Sequence, residues 1–191
     1  MRRTAALLAI GLVTAGCGSS PNVVFYALSP TAGTPQPAGL HAIRIRRPGI
    51  PGYLDRPEIV RRVVDSRLAV AASERWGAPL DEMIGRVLAE DVELRLPDSS
   101  VYSEDGSITA DPDATVEVDV RRFDIGERGV LTLVAEVAVE RGSAHGESAS
   151  RGVQLSARPR TDTTSAIVAT MSDMLGQLAD QVVVLLRGTT G

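Results

Sequence analysis

The chain has no lysine, one cysteine (Cys17), one tryptophan (Trp76) and two histidines (His41 and His145) among its 191 residues. Each scarcity narrows what the protein can be. His41 falls in a strand-like stretch and His145 in a Gly-Ser-rich turn, and neither has a motif partner. There is no HExxH, no GxSxG, no phosphate-binding glycine loop and no Cys/His cluster at metal-ligand spacing. The expectation is a protein with no catalytic, cofactor or metal site. All twenty basic residues are arginine, set against 24 acidic ones for a net charge of −4. That balance is unlike the basic footprint of a nucleic-acid binder. No apolar run approaches the ~20 residues that cross a bilayer as a helix.

What is present begins at the N-terminus. Met1-Arg2-Arg3 is followed by an apolar run from Ala5 to Thr14 and then by Ala15-Gly16-Cys17-Gly18. A basic start, a short apolar stretch and small residues at a processing point make a secretory signal. With the sole cysteine just after that point, the signal is of the lipoprotein type, although Thr14 stands where bacterial lipoboxes usually carry leucine. The apolar run is about ten residues, roughly 15 Å as a helix, half of a ~30 Å hydrocarbon core. It is read as a removed segment, residues 1–16. Cys17 is then the lipidated residue, and the competing reading is an ordinary buried thiol. Two acyl chains suffice for stable anchoring. Removal of Arg2 and Arg3 leaves 18 arginines against the 24 acidic side chains, a net −6. An acylated Cys17 has no disulfide partner, so packing alone holds the domain.

Residues 17–22 form a short tether, at most roughly 20 Å long, and 23–191 a single domain without internal repeats. Strands are expected at Val23–Leu28, His41–Arg47, Glu58–Val64, Arg67–Ala72 and, briefly, Val101–Tyr102. In His41–Arg47 the alternation puts His41, Ile43 and Ile45 on one face. A turn is expected at Asp65-Ser66, and a Pro/Gly loop from Ser29 to Gly39. Pro79 is placed at the first position of a helix, with Asp81 and Glu82 in its first turn. Leu80, Met83, Ile84, Val87, Leu88 and Val92 line one face, and Pro97 ends it.

A hairpin follows. Val116, Val118 and Val120 alternate, the apolar phase then moves to Phe123 and Ile125, and a bulge is expected near Arg121-Arg122. Gly126 to Gly129 turns the chain into an arm carrying Leu131, Leu133, Ala135, Val137 and Val139. A last strand, Ser148–Ala157, turns Val153 and Leu155 inward. A long helix then runs from Thr163 or Thr164 to Arg187, with its stripe on Ile167, Met171, Met174, Leu175, Leu178, Val182 and Leu185, and Gly188 at its end. The fold class is α+β: a mostly antiparallel sheet with two helices on one face.

Among the remaining residues, Asp111 and Asp113 read as a solvated turn rather than a cation site. Glu117 and Asp119 read as the wet side of a sheet. Trp76 is a core anchor or a partner-binding aromatic. Asp55 and Arg56 either pair to shape a turn or present an interface. Val182 to Leu186 is apolar all round, so either the sheet margin covers its outer side or a partner does.

Taken in order, several segments resemble the PqiC-type lipoproteins, auxiliary components of MCE-associated ABC transport systems. They are Phe25-Tyr26-Ala27-Leu28, the strand before Tyr53-Leu54-Asp55-Arg56-Pro57, Arg75-Trp76-Gly77-Ala78-Pro79-Leu80, the Val118–Phe123 strand and the C-terminal helix. The resemblance implies an outer-membrane lipoprotein facing the periplasm, without catalytic residues. It would work with an MCE-domain protein, a permease and an ATPase in lipid trafficking and envelope integrity. Gly18 after the cysteine agrees with outer-membrane sorting. Self-association into a ring would suit a tubular partner, though the sequence does not show it. Two other classes stay open, a lipid-binding carrier and an outer-membrane assembly factor.

Overall fold

The computed structural model describes residues 22–64, 66–108, 110–142 and 148–188. In chain order the elements are β1 (Val24–Tyr26), β2 (Ala42–Ile45), β3 (Glu58–Val64), β4 (Arg67–Trp76), α1 (Leu80–Arg95), β5 (Ser100–Ser103), β6 (Ala114–Ile125), β7 (Leu131–Arg141), β8 (Ser148–Ala157) and α2 (Thr164–Arg187).

The β6–β7 hairpin organises the sheet. Its strict apolar alternation leaves every inward valine and leucine of both arms buried. The phase change falls where expected. Val120 lies opposite Ala135 and Arg122 opposite Val134, so Arg121 is the extra residue and Phe123 and Ile125 return to the core. The strand β8 extends the antiparallel ladder beyond β7. On its other side β6 is flanked twice: β2 runs parallel to its start, and β3 runs parallel to its end, with Arg61 opposite Ile125. The fold-back of β4 onto β3 is antiparallel, β1 lies parallel to β4 at one margin, and β5 lies parallel to β2. The long ladders are antiparallel as expected, and the short pairings make the eight-stranded sheet mixed and curled.

Several bounds differ from expectation. β1 and β2 are shorter, and His41 sits exposed just before β2 instead of sharing the inward face of Ile43 and Ile45. β4 runs on to Trp76, because β1 supplies a pairing partner for Glu74, Arg75 and Trp76 that no local pattern announces. Pro79 caps α1 from one residue before its first turn.

Both helices bury the expected stripes, except that Leu185 of α2 is only partly covered. In α2, Thr163 caps the start by accepting from the Ala166 N–H, and Gly188 ends it at φ +72°, a conformation that glycine adopts freely. Each large aliphatic side chain removed from water contributes about 2 kcal/mol, which is how a domain without a disulfide holds together. The Val182–Leu186 segment is covered except at Val184 and part of Leu185.

The Pro/Gly loop is a strap seated between the helices. Ser29 N–H donates to Ser172 Oγ at 3.1 Å, Thr31 N–H to Asp91 Oδ1 at 2.5 Å, and Gln36 N–H to the Arg95 carbonyl at 2.7 Å. Arg187 holds its far end through the Pro37 carbonyl at 3.1 Å. At Gly176 of α2 a Cβ would lie 2.0 Å from Thr31 Oγ1, so only glycine admits the strap there.

Candidate functional site: the tether end of the sheet

β3 and β4 pair from Glu58 opposite Arg75 to Val64 opposite Arg67, and the outer part of this hairpin carries exposed Val64, Leu68 and Val70. At its margin β1 exposes Val24 and Phe25, the latter 65% accessible. Val24 lies opposite Glu74 and Tyr26 opposite Trp76 in parallel register. The N-terminal side of β1 therefore faces toward Arg67, the hairpin tip. Cys17, the expected lipidation site, and the expected signal segment lie outside the described residues, as does His145.

Beside this hairpin stands a group of arginines. Arg61, Arg62, Arg128 and Arg158 line an open cleft of about 600 Å³ with Glu127 and Asp162, and Arg62 and Arg128 border a second cleft with Arg122 and Val64. The group is organised around Asp124, whose side chain is wholly buried at the end of β6. Tyr53 Oη donates to Asp124 Oδ2 at 2.7 Å, Arg62 Nη2 to the same oxygen at 3.1 Å, and Arg122 Nε to Oδ1 at 3.0 Å. Burial by itself would raise this carboxyl. The bonds from Arg62 and Tyr53 and the charge of Arg122 outweigh it and hold Asp124 below the usual carboxylate range. Burial, together with the bond to Asp124, pushes the Tyr53 hydroxyl up to about 12. The Arg62 guanidinium lies 5.6 Å from the Tyr53 ring centroid, in cation–π range. Arg61 donates to Thr164 Oγ1 at 2.6 Å, which brings the N-terminus of α2 to the same end.

A second buried carboxylate sits under the strap. Asp91 has one donor from Thr31 N–H, with Arg95 Nη1 4.0 Å away, and its Oδ2 has no hydrogen-bond partner. Burial pushes it up to about 6. Arg95, itself buried, directs Nε to Asp180 Oδ1 at 2.6 Å and Nη1 to the Thr31 and Asp91 carbonyls at 3.0 and 2.9 Å.

The residues singled out in the sequence take mostly structural places. Asp113 accepts from the N–H groups of His41 and Ala42 at 2.7 and 3.1 Å, which lower its pKa and fix the start of β2. Its carboxylate thus ties the chain instead of facing a cation. Among the described residues no group of His, Cys, Asp and Glu side chains is placed to hold a metal ion. Glu117 and Asp119 lie on the wet face, next to Arg46 and Arg121 respectively. Trp76 is 5% exposed and belongs to the core, so it is not a partner-binding aromatic. Arg56 reaches Glu58 at 3.9 Å instead of Asp55.

Asp124 was missed because acidic strand residues are usually solvent-facing. The signal was its place between Phe123 and Ile125, past the bulge. Asp91 and Arg95 carried a signal too, an acid–base pair four apart in line with Val87 and Leu88.

Comparison with known proteins places this arrangement. One crystal structure, of an uncharacterized protein, has a TM-score of 0.70 at 18% identity, covering 85% of this chain and 97% of that one. Another, protein XCC0632 from Xanthomonas campestris of the family DUF330, has a TM-score of 0.67 at 21% identity, covering 84% and 92%. At these identities the likeness is one of fold. No curated protein matches the chain. The family model for the ABC-type transport auxiliary lipoprotein component matches residues 26–183, from β1 through nearly all of α2. The chain, with its two-helix α+β domain and strapped N-terminal segment, belongs to that family of transport auxiliary lipoproteins.

Proposed function

We propose that the protein is the outer-membrane lipoprotein subunit of an MCE-type ABC transport system. In this reading it is anchored through acylated Cys17 and docks the periplasmic part of the transporter to the outer membrane for lipid traffic. The observation that carries it is the family match over 26–183, joined to a lipobox cysteine only seven residues before β1. No helix among the described residues is long and apolar enough to cross a membrane, which leaves the anchor to hold the domain there. In this reading the role is mechanical, with Asp124 holding strands together and Asp91 holding the strap.

A carrier would need room for acyl chains. The seam beside Val184 and Leu185 has a hollow of about 70 Å³, against roughly 300 Å³ or more for ligand sites. The larger hollows, about 380 to 600 Å³, are open clefts on the surface instead of a chamber between sheet and helices. Crosslinking in intact cells followed by purification of the lipoprotein should recover an MCE-domain protein. Recovery of a barrel-assembly component without one would overturn the docking role. Cys17→Ala should release the protein from the membrane fraction.

A further inference from the structure

We propose that the tether end of the domain is a membrane-contact face, with the β3–β4 hairpin tip set into the headgroup region of a bilayer bearing anionic lipid. The proposal rests on the reading of Cys17 as the lipidated residue. From Cys17 to Val24 the chain takes seven residues, about 24 Å fully extended. From Glu74, opposite Val24, to Arg67 at the hairpin tip β4 bulges against β3, so the span is that of the facing strand, six residue steps from Glu58 to Val64, about 20 Å. The hairpin thus reaches about as far as the tether can, so a bilayer holding the Cys17 lipids lies within reach of the tip.

What the tip presents suits that position. Val64, Leu68 and Val70 are exposed there, and Val24 and Phe25 are exposed on the strand that the tether enters. Beside the tip Arg128 and Arg158 stand in a cleft with Arg61 and Arg62, four arginines against Glu127 and Asp162, on a protein whose processed form carries −6. Apolar side chains in the interface and arginines toward anionic headgroups are the two components of peripheral membrane binding.

The test uses the lipidated full-length protein in vesicles of phosphatidylethanolamine and phosphatidylglycerol. With the native thiol occupied by lipid, Leu68→Cys supplies a single free thiol for an environment-sensitive fluorophore, and Leu94→Cys on α1 serves as the control. Quenching by lipids carrying nitroxide at headgroup depth should be strong at position 68 and weak at 94. Arg128→Ser with Arg158→Ser should lower the docked fraction, each arginine changing the contact equilibrium about fivefold near an anionic surface. Vesicles of phosphatidylcholine alone should do the same. If the protein floats with the vesicles but the probe at 68 stays in water, the contact face is wrong and the anchor stands. If the protein does not float, the anchor reading fails and the orientation with it. Quenching that ignores both the arginine variants and lipid charge would overturn the anionic preference.

Discussion

Asp124 and Asp91 are both wholly buried, yet their surroundings push them in opposite directions. Asp124 receives donors from Tyr53, Arg62 and Arg122 and stays charged. Asp91 has one backbone donor, an arginine 4.0 Å off and an orphaned oxygen, and burial raises it to about 6. Burial is common to the two, so the donors decide the sign. The first carboxylate knits β6 to β3 and to the segment before it, whereas the second holds a strap that hydrophobic contact alone would not fix in register.

The largest test of this contrast is Asp124→Ala. Removing the shared acceptor takes from Arg62, Arg122 and Tyr53 the bonds that tie them to β6, so urea unfolding should show a loss of about 3 kcal/mol. Gly176→Ala strikes the other region. The added methyl displaces Thr31, and even with alanine's better helix propensity the net loss should be about 2 kcal/mol. Limited proteolysis within residues 29–39 should increase.

The pH response separates the two carboxylates. An unfolded aspartate titrates near ~3.9. Between that value and about 6 folded Asp91 keeps a proton that the unfolded chain has released, so stability falls as pH rises through this window. Asp124, being lowered, contributes fully above about pH 4 and loses its contribution as pH falls further. Asp91→Asn should therefore flatten the slope between pH 4 and 6 and raise stability at pH 7.5 by on the order of 1–2 kcal/mol. Chemical denaturation across pH would show it. Smallest is Tyr53→Phe, which leaves Asp124 its arginines and should cost about 1 kcal/mol in the same assay.

The β6–β7 hairpin, its bulge and the long helix were legible because each writes its period into consecutive residues and ends in recognisable punctuation. The parallel pairings of β1 and β2 were not, since Val24 meets Glu74 and Ile43 meets Ala114 across long stretches of chain. The strap read as a loop because its partners, Asp91, Ser172 and Arg187, are contributed by helices far along the sequence. The arginine cleft was illegible for the same reason. Arg61, Arg128 and Arg158 are unremarkable singly and become a group only where β3, the turn after β6 and the segment after β8 meet.

The parallel seating of β1 also has a mechanical consequence. A pull on the residues before Val24, directed toward the hairpin tip, runs along the strand axis. The β1–β4 bonds are then loaded in shear, sharing the force, instead of being peeled one at a time. Whatever force passes β1 next meets the Ser29, Thr31 and Gln36 bonds of the strap, which hand it to both helices. A chain tied this way transmits tension from its N-terminus into the body of the domain, as a mooring line does when it is made fast at two cleats.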